Sequence, residues 1–427
     1  MFRALVHRGG TPVGATGGNP TLFGFGLAPE QQSILEATRN FAREVVAPVA
    51  ADLDRSANPE DCFSWDIVEK ADAAGIRTAT LAPEFGGAGI DSLTTAMMIE
   101  ELAKADLGVS VILAQTLKIA QTLQGAASAE QKARFLPDYS ADPRGLLAIA
   151  ITEPDRSSDY IIPYPTGDYQ TKAVRDEGGW LISGHKHFIS NGNRARLYLV
   201  FAQTERGDGL VAGSTCFLVE RSTPGFTVGP VHDKMGERLV NNSELFLDDC
   251  YVPEENVLGE VGKGFEVLVR FFPASNAYAA ASVLGVAQAA YQRALHWSRT
   301  RYQGGRYLIE HDSIAQTLAR LDMMIGAAQA YVYRAVWQAD HREEGWDPKM
   351  GALPKVFASE VAWEVVTATL EVHGGYGYMR EMGIEKLVRD AAAFLHSDGA
   401  NPSLLLKAAR FIRQENPVSR RSGDSSV

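Results

Sequence analysis

The run KMGERLVNNSELFLDDCYVPEENVLGEVGKGF, residues 234–265, marks the point at which the chain changes its secondary structure. Within it, SELFLDD (243–249) has the length of a β-strand, and Pro253 follows shortly after. The glycine-rich GEVGKGF then leads into long segments with helical periodicity. The run therefore predicts the boundary between a β-rich region and a helical one.

Outward from this boundary, the preceding region has strand character and the following one has helical character. The segments LYLVFAQ (197–203) and STCFLVE (from Ser214) have strand lengths, and alternation on both sides of Gly178-Gly179 predicts a hairpin. Further towards the N-terminus, residues 30–146 show apolar residues at helical spacing. Beyond the boundary, four alanine-rich segments predict a bundle: 265–300, 310–342, 352–373 and 381–395.

The predicted fold class is mixed α and β, with an N-terminal helical domain, a central antiparallel β domain and a C-terminal four-helix bundle. We expect no Rossmann site, because no GxGxxG motif follows a strand. The predicted boundaries are a flexible segment 1–26, a helical domain 27–146, a β domain 147–260, a bundle 261–414 and a flexible tail 415–427.

Composition and charge exclude several classes of protein. The 427 residues carry 52 Asp and Glu against 41 Lys and Arg, a net charge of -11, which argues against a nucleic-acid binder. The uncharged stretch 271–292 is only weakly hydrophobic and predicts a buried helix, so no membrane partner is expected. The three separated cysteines fit a reducing compartment. We expect a cytoplasmic protein, or a mitochondrial matrix protein if residues 1–26 are a transit peptide.

Two segments of the β region carry residues suited to a planar ligand. In AIAITEPDRSSD (148–159), Thr152 and Ser158 offer hydroxyl and backbone donors, although an ordinary polar loop has the same composition. In GHKHFISNGNRA (184–195), Phe188 could cover a flat ring while Ser190 bonds its edge. His185 and His187 in the same segment are interpreted as strand residues and not as metal ligands, because no third ligand is near in sequence. No metal site is predicted.

Two segments of the bundle region are candidates for phosphate binding and acid–base chemistry. The glycines of EVHGGYGYMRE (371–381) would let the backbone approach a pyrophosphate, or form a tight corner between helices. In RDAAAFLHSDGAN (389–401), Asp398 precedes Gly399 where a helix ends. Its carboxylate is a candidate general base, or the N-cap of the next helix.

Taken in order, these motifs resemble the acyl-CoA dehydrogenase family over about residues 30–413. The matching segments are PEFGGAGID, AITEP, GHKHFISNG, the run 234–265, LGVAQAA, IEHDSIAQTLA, HGGYGY and RDA. The resemblance implies FAD bound between the β domain and the bundle, a homodimer or homotetramer, and FAD contacts from a neighbouring subunit. It also implies an acyl-CoA thioester as substrate and an electron-transferring flavoprotein as electron acceptor.

Carried over position by position, the resemblance assigns roles to particular residues. Those matching cofactor positions are Ile149, Ile151, Thr152, Ser158, Phe188, Ser190, Arg301, Glu371, Gly374 and Gly375. Ser158 also matches the thioester loop, and the further substrate positions are Ser275, Asn276 and Gly399. Asp398 stands at the position of the catalytic base, so the implied reaction is α,β-dehydrogenation of an acyl-CoA, or of a carrier-bound acyl group. Asp398 removes the α proton and hydride passes to flavin N5.

Several positions depart from the common family pattern. Asp398-Gly399-Ala400 replaces the usual Glu-Gly-Thr, and Asn276 replaces a usual Arg. Gly304 replaces a usual Phe, and Glu371 stands where Gln is common. With Ser275, these features resemble both nitroalkane oxidases and dehydrogenases of cyclic acyl-CoA substrates. Leu405 occupies a position where nitroalkane oxidases have Arg, so the sequence favours a nitroalkane oxidase less than a dehydrogenase. A flavin oxidase of small carbon acids such as nitroalkanes stays the alternative function.

Overall fold

The computed structural model describes residues 27–157, 168–205, 211–271 and 274–415. The predicted flexible segment 1–26, residues 416–427 of the predicted tail, and Ser158 lie outside the described residues. The statements below refer to the described part of the chain.

The N-terminal region is helical, and side chains that satisfy free backbone N–H groups begin several of its helices. The Asp91 carboxylate accepts from Thr94 N at 2.6 Å, and Asp106 accepts from Val109 N at 3.0 Å. These helices are α1 (Pro29–Phe41), a π-helical turn (Ala42–Val46), α2 (Ala47–Asp54), α3 (Trp65–Ala73), α4 (Ser92–Ala105), α5 (Leu107–Ala126) and α6 (Ala129–Ala141). Most of α5 is buried, so it lies at the centre of the molecule.

The central region forms one sheet in the order β6-β7-β3-β2-β4-β5-β8, with β1 beside β4. Its strands are β1 (Leu147–Ala150), β2 (Lys172–Asp176), β3 (Gly179–Ser190), β4 (Leu197–Gln203), β5 (Ser214–Glu220), β6 (Phe226–Val231), β7 (Asn242–Pro253) and β8 (Val257–Leu258). Most pairs are antiparallel, as predicted, and the predicted hairpin joins β2 to β3. The pairs β1·β4 and β2·β4 are parallel.

The C-terminal region is a helical bundle, as predicted, although the predicted segment 265–300 is divided in two. The helices are α7 (Gly264–Phe271), α8 (Ser275–Thr300), α9 (Asp312–Asp340), α10 (Leu353–His373), α11 (Ile384–Ala393) and α12 (Asn401–Glu415). A short hairpin, β9 (Tyr302–Gln303) and β10 (Arg306–Tyr307), joins α8 to α9. Helix α8 is central and also packs against α4, where a Cβ on Gly285 would lie 2.3 Å from Glu100 O. Only glycine permits this approach.

Two further expectations concern the membrane and the cysteines. Among the described residues, no helix combines the length and the apolar character needed to cross a membrane. Cys62, Cys216 and Cys250 are buried and free, and burial raises the pKa of the Cys250 thiol to about 11. They therefore act as small buried side chains.

A buried ion cluster joins the three regions. Lys386 Nζ on α11 lies 2.7 Å from Asp106 Oδ2, at the start of α5, and 2.6 Å from Asp390 Oδ2. The other oxygen of Asp390 accepts from the backbone N–H of Glu237, in the β6–β7 loop, at 2.7 Å. Burial opposes the charge on Lys386, but Asp106 and Asp390 outweigh it and raise the pKa of this ammonium group.

We expect Lys386→Met to lower the free energy of the first unfolding transition by about 3–5 kcal/mol, because two buried carboxylates lose their counter-charge. Urea unfolding followed by tryptophan fluorescence measures the change. Lys70→Met is the matched control, since the Lys70–Asp66 pair is exposed and should contribute less than about 1 kcal/mol. Equal stability of the two variants would contradict a stabilising role for the cluster.

Candidate functional site

Asp398 lies in the connection between α11 and α12, with a backbone φ of +52° followed by +96° at Gly399. Asp tolerates this left-handed conformation better than most residues. Helix α12 begins at Asn401, so Ala400 occupies the capping position and Asp398 lies two residues before it. The Asp398 side chain is 23% exposed and therefore remains accessible to a ligand. We call residues 398–399 the Asp398 turn.

Lys118, on α5, is the cation that contacts the Asp398 carboxylate. Its Nζ lies 3.3 Å from Asp398 Oδ1 and 3.3 Å from Ser275 Oγ, at the start of α8. The side chain of Lys118 is 6% exposed, so its charge is poorly screened by water. The ammonium group therefore connects the carboxylate of Asp398 with the hydroxyl of Ser275.

Two more side chains hold the backbone of the Asp398 turn. Asn276 Nδ2 donates to Asp398 O at 2.6 Å. Lys355 Nζ, from α10, donates to Gly399 O at 2.8 Å and to Asn401 Oδ1 at 2.9 Å. Burial lowers the pKa of Lys355 to about 8, against the opposing effect of Asp398. The structure thus brings Ser275, Asn276 and Gly399 together with Asp398.

A chain of polar contacts leads from Glu237 to strand β3. Glu237 is buried, and burial, together with Asp390 and Asp398, raises the pKa of its carboxyl group against the effect of Lys234. Lys234 Nζ lies 3.6 Å from Glu237 Oε2 and donates to Asn242 Oδ1 at 2.6 Å. Asn242 Nδ2 in turn donates to Ser190 Oγ at 3.1 Å and to Phe188 O at 3.0 Å.

The two sequence segments predicted to contact a planar ligand lie side by side. His187 N donates to Thr152 O at 2.9 Å, so the loop after β1 is adjacent to the end of β3. Lys186 Nζ donates to Ile151 O at 3.1 Å and to Glu153 Oε1 at 2.8 Å, and these contacts hold that loop against β3. Ile149 and Ile151 are half-buried in the adjoining apolar cluster.

Phe188 projects from this surface. It has φ +58°, which is uncommon for a bulky residue, and it is 58% exposed. Strain of this kind is often found at ligand sites. We call the area around Thr152, Phe188 and Ser190 the Phe188 surface.

A second group of predicted residues lines a cavity of about 530 Å³ at the C-terminal ends of α8 and α10. Arg301, Glu371, Gly374 and Gly375 all contribute to its wall, so four predicted residues from two segments come together here. The Arg301 guanidinium lies 5.2 Å from the centre of the Tyr376 ring. A Cβ on Gly374 or Gly375 would meet no atom within 4 Å, so this backbone faces open space.

The residues that line the Arg301 cavity do not include Thr152, Phe188 or Ser190 of the Phe188 surface. Within the residues that the structure describes, no hydrogen bond or ring contact joins the two. The predicted cofactor residues therefore fall into two groups on one chain.

Sequence profiles match the chain along most of its length. The profile for the acyl-CoA dehydrogenase N-terminal domain matches residues 28–142, that for the middle domain 148–250 and that for the C-terminal domain 262–412. A cyclohexane-1-carbonyl-CoA dehydrogenase of Geobacter metallireducens is 34% identical, over 92% of this chain and 99% of that protein. This chain belongs to the acyl-CoA dehydrogenase family.

Solved structures agree with this assignment. The butyryl-CoA dehydrogenase of Megasphaera elsdenii is 32% identical, with a TM-score of 0.83 over 91% of this chain and 99% of that one. The FAD complex of PigA is 26% identical, with a TM-score of 0.83 over 92% of this chain and 100% of that one. The protein is thus an FAD-dependent oxidoreductase of the acyl-CoA dehydrogenase family.

The residues present fit FAD. The exposed ring of Phe188, beside the backbone of Thr152, offers a flat apolar surface of the kind that an isoalloxazine ring stacks on. The Arg301 cavity offers a guanidinium and open glycine backbone, which suit a diphosphate. Glu371 is the one carboxylate among the predicted residues of that cavity, and it departs from the amide common in the family.

Lys118, Lys355 and Glu237 were missed by the sequence interpretation, and a signal existed for one of them. Lys118 is the single ionisable residue in the 20 residues of α5, LGVSVILAQTLKIAQTLQGA. A lone charge in a buried helix needs a partner, which predicts a polar site nearby. Neither Lys355 nor Glu237 has a comparable local signal.

We expect Lys118→Met to keep FAD and the fold but to lower kcat about 10- to 100-fold with little change in KM. The carboxylate loses the group that orients it, and small displacements of a reacting group carry costs of this size. Steady-state kinetics with a reactive thioester measure kcat and KM, and single-turnover flavin bleaching shows whether the reductive step itself is slowed. Lys104→Met, which breaks the Lys104–Glu101 pair elsewhere on the helical domain, is the control. Wild-type kcat in Lys118→Met would remove Lys118 from the site.

Proposed function

We propose that this protein catalyses α,β-dehydrogenation of an acyl-CoA thioester with Asp398 as the base, and that its acyl group is bulky or cyclic. The observation that carries this proposal is the accessible Asp398 carboxylate, held by Lys118 beside Ser275 and Asn276 at the start of α8. A carboxylate in this place suits abstraction of a proton next to a carbonyl group.

In the proposed mechanism, Asp398 accepts the α proton while the β hydrogen leaves as hydride and the carbon–carbon double bond forms. Bound FAD supplies the hydride acceptor at flavin N5. The thioester carbonyl needs a hydrogen-bond donor to make the α proton acidic, and we assign this role to a backbone N–H beside Asp398. Asn276 and Lys355 fix the backbone that carries this donor.

The bulky or cyclic substrate is supported by the size of the base. Asp is one methylene shorter than the Glu usual in the family, which leaves about 1.5 Å more room between backbone and substrate. The relative from Geobacter metallireducens is named for a cyclic acyl-CoA, cyclohexane-1-carbonyl-CoA. Ser275 and Asn276 are small or neutral side chains next to the same base.

We propose further that two copies of the chain complete each FAD site. The Phe188 surface of one copy would take the flavin ring, and the Arg301 cavity of another would take the diphosphate. The separation of the two groups on one chain supports this arrangement, which a homodimer or homotetramer provides. The electron acceptor proposed for the reduced protein is an electron-transferring flavoprotein.

We expect Asp398→Asn to retain FAD and to slow flavin reduction by about 10²–10⁴-fold, because the amide cannot accept the proton. The measurement is anaerobic flavin bleaching with a panel of linear, branched and cyclic acyl-CoA thioesters and nitroethane. Full bleaching in Asp398→Asn would exclude Asp398 as the base. Rapid peroxide formation with nitroethane, and no bleaching by any thioester, would instead establish the oxidase.

A longer carboxylate side chain at position 398 tests the substrate class with the same panel of thioesters. If the pocket is built around Asp, Asp398→Glu should slow reaction with a cyclic thioester by about 10²-fold, because the carboxylate crowds the reacting carbon. Unchanged or higher activity of Asp398→Glu with linear thioesters, together with no wild-type activity on cyclic ones, would contradict a cyclic substrate.

Complementation tests the shared site. Arg301→Glu should lose FAD affinity and activity, because it places a carboxylate against the diphosphate. Refolding an equal mixture of Arg301→Glu and Asp398→Asn chains should restore about a quarter of the wild-type activity. Half of random dimers are mixed, and each mixed dimer has one intact site. No recovery on mixing would show that Arg301 serves the site of its own chain.

A further inference from the structure

Three side chains of the β domain converge beside the Phe188 surface. His187 lies on β3, Glu244 on β7 and His232 directly after β6, in the sheet order β6-β7-β3. One imidazole nitrogen of each histidine and one carboxylate oxygen lie within 4.8 Å of one another. His187 Nε2 is 3.5 Å from Glu244 Oε1. We propose that His187, His232 and Glu244 bind a divalent transition-metal ion.

The free nitrogen of His232 is the observation that points to a ligand. Its Nε2 is buried and has no hydrogen-bond partner in the part of the chain that the structure describes. A buried ring nitrogen without a partner loses its hydration and gains nothing in return. Coordination of a metal ion would satisfy it and would use the acceptor lone pair of the imidazole.

Glu244 is already oriented for coordination. His185 Nε2 lies 3.0 Å from its second oxygen, Oε2, while Oε1 faces His187. The His185 ring is itself stacked on Phe246, with ring centres 4.4 Å apart. Carboxylate ligands of metal ions are ordinarily held in this way by a second polar group, which fixes the free oxygen toward the metal.

The ligand set selects the class of metal. Two imidazoles and one carboxylate suit Zn²⁺, Co²⁺ or Ni²⁺, whereas Mg²⁺ and Ca²⁺ favour oxygen ligands. Ligands around tetrahedral Zn²⁺ lie about 3.4 Å apart, given metal–ligand distances of about 2.1 Å. The present separations, of up to 4.8 Å, require the ligand atoms to approach one another by up to about 1.4 Å, a shift that rotation about χ1 and χ2 supplies. Three protein ligands leave one position for water.

A neighbouring cation opposes metal binding, and aromatic rings pack against the cluster. Lys234 acts on His232 as a like charge, but its ammonium group is engaged by Glu237 and Asn242. Phe188 stacks on His187, with ring centres 4.0 Å apart, and lies 4.8 Å from His232. A metal ion would therefore immobilise the rings that support Phe188.

The separation in sequence explains why the histidines were interpreted as plain strand residues. His187 and His232 are 45 positions apart, and Glu244 follows 12 positions later. Only the pairing of β3 with β7, and of β7 with β6, brings a third ligand to His187. A third ligand group that is absent near His187 in sequence is therefore present beside it in the fold.

The test is Zn²⁺ binding by the untagged, FAD-loaded protein, measured by competition with a chromophoric chelator. We expect one Zn²⁺ per chain and a higher melting temperature with Zn²⁺ than with Mg²⁺. His187→Ala and His232→Ala should each lower the affinity on the order of 100-fold, and His185→Ala about 10-fold or more. His311→Ala and His341→Ala, at histidines outside the cluster, should leave the affinity unchanged.

Cobalt provides a readout that does not depend on stability. Co²⁺ bound to imidazole and carboxylate should give visible absorption bands that disappear in His232→Gln, with FAD content and circular dichroism confirming that the variant is folded. One Zn²⁺ per chain that survives His187→Ala, His232→Ala and Glu244→Gln would overturn the proposal, and so would no binding by the wild-type protein.

Discussion

The ion pairs that the buried ammonium group of Lys386 forms are the interaction on which the site depends. This ammonium group is held between Asp106 at the start of α5 and Asp390 on α11, and Asp390 also binds the backbone of Glu237 in the β6–β7 loop. Buried charges of this kind tolerate few arrangements, because any displacement leaves a carboxylate without a partner in a medium that solvates it poorly. The cluster therefore sets how the helical, β and bundle regions meet.

The proposed catalytic residues come from elements that meet at this junction. Lys118 lies on α5, Ser275 and Asn276 begin α8, and Asp398 follows α11. Each contributes a polar group to a region that is largely shielded from water, where charge interactions are strong. Lys118 and Lys355 act on the Asp398 turn from two directions, one on the carboxylate and one on the backbone of Gly399. Lys355 also connects the turn to the following helix, since it donates to Asn401 Oδ1 at the first residue of that helix.

Three of the departures from the common family pattern, at Asp398, Ser275 and Asn276, form one connected group, whereas Glu371 lies in the Arg301 cavity. Asp398, Ser275 and Asn276 are in contact through Lys118 and through the carbonyl of Asp398. A shorter base alone would place the carboxylate farther from the substrate. The contact with Lys118 keeps the position of the Asp398 carboxylate defined. A substitution at any one of these positions would therefore affect the others through Lys118 or through the backbone of the Asp398 turn. The cluster of His187, His232 and Glu244 lies in the β domain, where the rings of both histidines pack against Phe188.

The sequence by itself determined the order of helical, β and helical regions, since apolar periodicity is local. It also indicated Asp398, Phe188 and the glycines at 374 and 375 through motifs whose residues are contiguous. Only the tertiary structure decided the partner of Asp398, because Lys118 is 280 positions away. The same is true of the third ligand at His187, the parallel pairing of β1 with β4, and the division of the cofactor residues into two groups. These features depend on strand register and helix packing, and neither is encoded in the spacing of residues along one segment.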